Sequence, residues 1–360
     1  MRKLLLAALA LALVGGLAVG WLAFFPNTAA AQEAASVKLP EGVTFEAALD
    51  SLEGAGALGS RASMETFGSA TGWGDQVKPG HYMIEPGMSN WAILDKIRKG
   101  LQDDIRITIP AGRTAPVIAG AIARQMDADS TEVLEALFAP DLAEQLGTDT
   151  LHLFAEMRGN TYDVRWTQDA RRAVSRIHAW HEKFWDQNGR RAKAEALGLT
   201  PDEVVTLASI VEWEARYDDE KARVAGVYLN RLLARTSQGR MRLQADPTVQ
   251  YALMQTDGGP MRRLMLRDYQ FPHPYNTYLI DGLPPGPINN PSDAALDGVL
   301  DNEDHDFLFF VASTENLGYH DFSRTVSEHN AKAREWSRWL TEQVRQRNAR
   351  ERAEASGDGQ

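Results

Sequence analysis

Two carboxylates set two positions apart, Glu212 and Glu214, are the first residues of this chain whose type and spacing suggest chemistry. Side chains two apart on an α-helix point about 200° away from each other, so the pair cannot flank one bond as cooperating acids. Only one can face a given site. Glu214 lies three after Val211, four after Ile210 and seven after Leu207, so it continues a stripe of large apolar residues, while Glu212 follows Ala208 and Ser209. Burial in an apolar cleft disfavours the charged carboxylate and raises its pKa, which lets a Glu donate a proton near neutral pH. The pattern alone leaves one alternative open: both are ordinary surface carboxylates near a helix end.

The element that must position them has a strong local signature. Thr200 can cap a helix, Pro201 suits its first position, and Glu203 completes a capping box, so a helix is predicted to begin here. Val204, Leu207, Ile210 and Val211 then recur at three- and four-residue steps and define a buried face. Competing chemistry is weaker. Gly54-Ala55-Gly56-Ala57-Leu58-Gly59 matches a dinucleotide-binding glycine string, but it follows the helical pattern of Phe45 to Leu52 instead of a strand and fits a helix stop. His178 and His181 share a helix face, yet Trp180, Phe184 and Trp185 beside them point to a packing helix. The chain has no cysteine, which removes disulfides, thiolate nucleophiles and Cys-containing metal sites. No metal and no cofactor is expected. A formal charge of -11 argues against a nucleic-acid partner.

The 360 residues, 44% hydrophobic and 24% charged, can build one large or two medium cores. At the start, Arg2 and Lys3 precede an uncharged run from Leu4 to Phe25, about the length that crosses a bilayer. The positive flank predicts a cytoplasmic stub at 1–3, a single membrane span over 4–25, and everything downstream outside the cell (inner) membrane. A cleaved signal peptide is the alternative, since Ala29-Ala30-Ala31-Gln32 offers small residues of the cleavage type. A linker over 26–42 should lead to a small mixed module over 43–110, with a helix at Phe45 to Leu52, a strand at Tyr82 to Ile84, a helix at Ser89 to Arg98 and a strand through Ile105, Ile107 and Ile109. A mostly helical region and a mixed domain over 111–340 follow. The charged end, 341–360, reads as a disordered tail. The expected fold class is α+β.

Several motifs in order raise a resemblance. Leu207 through Glu214, Tyr228-Leu229-Asn230-Arg231-Leu232, Met241 through Tyr251, Pro274-Tyr275-Asn276-Thr277-Tyr278, Gly282 through Ile288, Phe309-Phe310-Val311-Ala312 and His329-Asn330 resemble the YceG-like family of endolytic murein transglycosylases. The likeness covers roughly Val43 to Leu340. It implies a lysozyme-like catalytic helix with the second Glu of the I-V-E-x-E motif, Glu214, as acid/base, and a LysM-like module at Pro86 through Leu94. Gln244, Asp246, Tyr275, Asn276, Thr277 and Tyr278 would supply the polar groups and flat rings of a sugar cleft, each with a turn or core role as its alternative. Glu212, Arg231 and Asn330 would support them. Two departures stand out: Arg158-Gly159-Asn160-Thr161-Tyr162 replaces a Phe-Pro-Asp-Thr-Tyr string, and Trp213 is bulky for its place between the glutamates.

A hydrolase of glycosidic bonds needs an acid and a second carboxylate. The resemblance implies a lyase instead, in which the muramic acid's own 6-hydroxyl attacks, so that one Glu first protonates the leaving oxygen and then accepts the proton of that hydroxyl. The expected partners are peptidoglycan strands, the inner membrane and penicillin-binding proteins. The rival expectations are a water-using muramidase and a non-catalytic glycan-binding scaffold of wall synthesis.

Overall fold

The computed structural model describes residues 2–28, 33–233, 240–259 and 261–357; the side chains of 2–5, 7–12, 18 and 352–357 lie outside the described residues. The chain divides into two compact units. Helix and strand are mixed along the chain, so the α+β class holds.

The first unit comprises Met1–Thr108, Ala119–Ala136 and Thr161–Ile177. It opens with α1 (Arg2–Phe24). Part of the expected span at Leu4–Phe25 lies outside the described side chains, and among the described residues no helix is long and apolar enough to cross a membrane. The segment expected to be linker is instead partly a strand, β1 (Ala35–Leu39). Its Val37 and Leu39 are buried and alternate with exposed Ser36 and Lys38, which is why five residues suffice to define a face. The helices α2 (Phe45–Gly54) and α3 (Arg61–Thr71) follow, then β2 (Gly80–Ile84), which pairs antiparallel with β1 in the register Ala35 to Ile84 through Leu39 to Gly80. The glycine string at Gly54 falls at the end of α2. Thr44 and Ser89 cap α2 and α4 (Asn90–Lys99), each accepting a hydrogen bond from the backbone three residues on. Val37, Leu39, Leu52, Met64, Tyr82, Ile84, Ile93 and Ile97 form the core. β3 (Ile105–Ile109), α5 (Ala115–Ala123) and α6 (Ser130–Leu137) come next, and β3 pairs with the later β4.

The second unit comprises Ile109–Ile118, Leu137–Asn160 and His178–Gln360. The single boundary near 110 that the sequence suggests is therefore an interleaved one. Here α7 (Pro140–Leu146) and α8 (Leu153–Glu156) precede β4 (Asn160–Val164) and α9 (Ala170–Trp185), of which Thr161–Val164 and Ala170–Ile177 belong to the first unit. His178 and His181 are buried packing residues on α9: the Trp185 indole N–H donates to His181 Nε2 at 2.9 Å. α10 (Arg190–Leu197) leads to α11 (Pro201–Glu214), whose capping box at Thr200 and Glu203 is present as the sequence predicts. α11 is the unit's central helix. Every residue from Val204 to Val211 is buried, against α12 (Asp218–Leu232), α13 (Asp246–Asp257) and α14 (Asp293–Leu300). A hairpin of β5 (Phe309–Ala312) and β6 (His320–Ser323) pairs Phe309 with Ser323 and Ala312 with His320.

α15 (Val326–Gly357) differs from the expected tail, because helix continues through the segment from 341. Its Glu, Arg, Gln and Ala content is strongly helix-forming, and pairs such as Gln346 on Glu342 and Arg347 near Glu351 span single turns.

Candidate functional site

α11 ends on Glu214 because Ala215 turns extended, which leaves the last side chain at the lip of the buried helix. The chain then reverses into α12 and brings Tyr228 and Arg231 back beside it. The buried Tyr228 hydroxyl donates to Glu214 Oε1 at 2.7 Å. Arg231, also buried, donates from Nε to the Leu308 carbonyl at 2.7 Å and from Nη1 to the Leu243 carbonyl, so it straps both segments to the end of α12. One of these straps delivers Gln244 and Asp246. Gln244 adopts φ 49°, a left-handed conformation that a non-glycine residue holds at a cost, and its N–H donates to the Thr277 carbonyl.

These residues line a cleft of about 430 Å³, together with Tyr269, Tyr278, Phe309, Phe310, Val311, Ala312, His320 and His329. Tyr278 donates to Asp246 Oδ1 at 2.7 Å and Tyr269 to Oδ2 at 3.3 Å, and the two rings lie 4.5 Å apart. Both oxygens of Asp246 are therefore already taken by phenols. His320 is fixed from behind by Glu220, at 2.9 Å from Nδ1.

The electrostatics single out Glu214. Burial pushes the Glu214 carboxyl up to about 7, and Asp246 adds to the rise, while the Tyr228 hydrogen bond, His320 and Arg231 oppose it. Burial first, and then Glu214 itself, hold the Tyr228 phenol well above its ordinary value, so it stays a donor. Burial and then Arg231 lower His329, which favours its neutral imidazole.

The other expected site residues fall elsewhere. Glu212 points away from the cleft and accepts from Lys221 Nζ at 3.0 Å and from the Ser292 hydroxyl at 2.6 Å. Asn276 is fully buried: its Nδ2 donates to the Tyr269 and Phe271 carbonyls and its Oδ1 accepts from the Tyr278 N–H. It shapes the loop that presents both tyrosines and touches no part of the cleft surface. Thr277, equally buried, accepts from the Ala245 N–H at 2.9 Å and shares a hydrogen bond with Thr248. Tyr275 packs on Tyr251, and Asn330 is exposed on α15 outside the cleft lining, where its neighbour His329 takes the place. Trp213 donates to the Gly112 carbonyl at 2.9 Å and is a packing residue. The altered Arg158 to Tyr162 stretch also lies outside the cleft lining. Gly159 there sits so close to the Ala111 backbone that an added Cβ would meet it at 2.6 Å.

Sequence patterning misses Tyr228, Tyr269, Phe309, Phe310, His320 and His329 as cleft residues. Tyr228 lies on the buried side of α12, where its hydroxyl is indistinguishable in the sequence from core aromatic patterning.

One elevated acid on the wall of an open cleft, faced by phenyl and phenol rings and a few fixed polar groups, can protonate a leaving oxygen and hold the apolar faces of sugar rings. Among the described residues no group of three or more His, Cys, Asp or Glu is arranged to hold a metal ion. The site is an aromatic-lined cleft with one carboxyl raised toward neutrality. The chain belongs to the YceG-like family, whose profile matches residues 37–335. An endolytic murein transglycosylase of Bacillus subtilis is 28% identical over 276 residues, covering 71% of this chain and 72% of that protein. A protein of the same name from Streptococcus pneumoniae (strain D39) is 27% identical over 342 residues, covering 84% of this chain, which spans only 60% of that relative's length. The crystal structure of a YceG-like protein from Listeria monocytogenes matches 84% of this chain and 99% of its own, at 25% identity and a TM-score of 0.53.

Proposed function

We propose that this chain is an endolytic lytic transglycosylase that cuts the MurNAc–GlcNAc bond inside peptidoglycan strands and leaves 1,6-anhydroMurNAc ends. The observation that carries the proposal is the Glu214 carboxyl, raised to about 7 by burial and bonded, among the described residues, through one oxygen only. Its other oxygen is available to protonate the leaving glycosidic oxygen. As that bond breaks, the carboxylate formed accepts the proton of the 6-hydroxyl, whose oxygen closes onto the anomeric carbon. Asp246 is a second carboxylate in the cleft, the kind of group a water-using muramidase needs, but two phenols occupy its oxygens. The names of the Bacillus and Streptococcus relatives support the transglycosylase over a scaffold.

The charged start and the apolar run from Leu4 to Phe25 support a retained single-pass anchor, with the chain beyond it extracytoplasmic. We extend the proposal to a LysM-like role for the 43–110 module in glycan holding, and to work beside penicillin-binding synthases at the inner membrane.

The test is mass spectrometry of purified glycan strands digested by the full-length protein. Anhydro ends are the expected product; reducing muramic ends would replace the transglycosylase by a muramidase, and intact strands would favour the scaffold.

Tyr228→Phe gives a finer test. Loss of the phenol donor removes an interaction that lowers the Glu214 pKa, so the acid stays protonated to higher pH. The alkaline limb of the pH–rate profile should move upward, with a rate loss of about tenfold from the less stabilised carboxylate. An unmoved limb would separate Tyr228 from the acid's chemistry.

A further inference from the structure

The last turn of α1 is not joined to the module behind it by slack chain. Asn90, 1% exposed, donates from Nδ2 to the Leu22 carbonyl at 2.7 Å and to Ser63 Oγ at 2.8 Å. Its Oδ1 accepts from Asn27 Nδ2 at 2.6 Å, and Asn27 Oδ1 accepts from the Ser60 N–H at 2.8 Å. The Asn27 N–H donates to the Met88 carbonyl, Gly59 donates to the Asn27 carbonyl, and Ala23 is buried in the module's core. Asn90 thus closes the Leu22 carbonyl in the last turn of α1, and Asn27, interlocked with it, ties the chain just beyond the helix to Ser60 and Met88.

Outside this knot lies an uncovered set of rings. Trp21, Phe24 and Phe25 are 60%, 67% and 55% exposed, and Trp91 of α4 is 40% exposed. Trp21 stacks on Phe25 at 5.3 Å, Phe24 meets Trp91 at 6.2 Å, and Trp91 meets Trp73 at 6.2 Å. At the far end the Arg98 guanidinium lies 3.9 Å over the Trp73 ring. An aromatic surface of this extent is costly in water and marks an interaction site.

We propose that these rings are a bilayer seat: they lie at the headgroup level, and the module rests on the membrane surface at a fixed depth. This rests on the anchor proposed above. The order along the surface argues for lipid over a protein partner. An apolar helix passes into exposed aromatic rings and then into the Arg98–Asp95–Lys99 cluster, where two cations share one carboxylate and leave a net positive charge, which is the order of acyl chains, interface and anionic headgroups in a membrane.

The absence of cysteine makes the test direct. Single variants Leu13→Cys, Phe25→Cys, Trp91→Cys and Glu46→Cys of the full-length protein carry a nitroxide in nanodiscs of phosphatidylethanolamine and phosphatidylglycerol. Relaxation by lipid-partitioned oxygen is compared with relaxation by an aqueous nickel chelate. The labels at 25 and 91 should favour oxygen several-fold over the label on exposed Glu46, with Leu13 higher still. If 13 is in lipid while 25 and 91 match 46, the seat is overturned and the anchor stands. If 13 is also aqueous, anchor and seat fall together. Spin–spin broadening at 91 that vanishes on dilution with unlabelled protein would assign the patch to a second copy, which also overturns the proposal. Should Trp91→Cys unfold, a label at the neighbouring Trp73, outside the span, takes its place.

Discussion

Glu214→Gln is expected to lower strand cleavage by about two to four orders of magnitude, the usual contribution of a positioned acid/base, while leaving the fold intact. The amide has the carboxyl's shape, and its carbonyl can still accept the Tyr228 hydrogen bond, but it has no proton acidic enough for a glycosidic oxygen. The same substitution should stabilise the protein, and the pH dependence of that gain gives the sign of the strain. The folded carboxyl sits at about 7 against an ordinary 4.5. Between those values the unfolded chain releases a proton that the folded chain keeps, so the stability present below about 4.5 is lost as pH rises through 7. The loss is roughly 1–3 kcal/mol once partial access to the cleft is allowed for. Glutamine carries no such penalty. Thermal melts should therefore show the variant above the native protein at pH 8 and level with it near pH 4. A gap independent of pH would mean that the carboxyl is not the strained group, and near-native cleavage by the variant would place the acid elsewhere.

The start of α11 is legible because every part of its signal is local: Thr200, Pro201 and Glu203 meet within one turn. The distinction between Glu212 and Glu214 is legible for a weaker reason. Helical phase does send them to opposite sides, but the stripe used to rank them is incomplete, since α11 is buried all round from Val204 to Val211. What differs is the tertiary neighbour each meets at the helix end, Lys221 and Ser292 for one and Tyr228 and the cleft for the other. Periodicity carries no record of such partners. The loop at Pro274 to Tyr278 shows the same limit. Its polar residues suggest a sugar site, yet Asn276 and Thr277 spend their side-chain polar atoms on the loop's own backbone and on Ala245 and Thr248, so that of this loop Tyr278 reaches the cleft lining. β1 went unread because its partner strand begins more than forty residues later, and a five-residue alternation acquires meaning only through that pairing.

The contrast between the two glutamates leads to the second large effect. Lys221→Met is expected to destabilise the second unit by about 3–5 kcal/mol, as when one partner of a buried ion pair is removed. Lys221, 4% exposed at its side chain, reaches Glu212 at 3.0 Å, Asp218 at 2.7 Å and Ser292 Oγ at 2.9 Å. Ser292 in turn caps α14 and donates to Glu212 from both its hydroxyl and its backbone. A single charge network therefore ties the end of α11 to the starts of α12 and α14, and without the ammonium Glu212 is left with only the serine donors. Glu212→Gln should cost less, about 1–2 kcal/mol, because a neutral amide still accepts from Ser292. The double variant should be less destabilised than the sum of the singles, since the second change removes the charge that the first left unpaired. Both single variants, assayed well below their melting temperatures, should keep the native rate within severalfold. Urea unfolding of the four proteins measures the coupling. Additive costs would mean that Lys221 and Glu212 do not act as a coupled pair, and a rate loss for Glu212→Gln that rivals that of Glu214→Gln would mean that the first glutamate takes part in the chemistry and that the separation of roles along α11 fails.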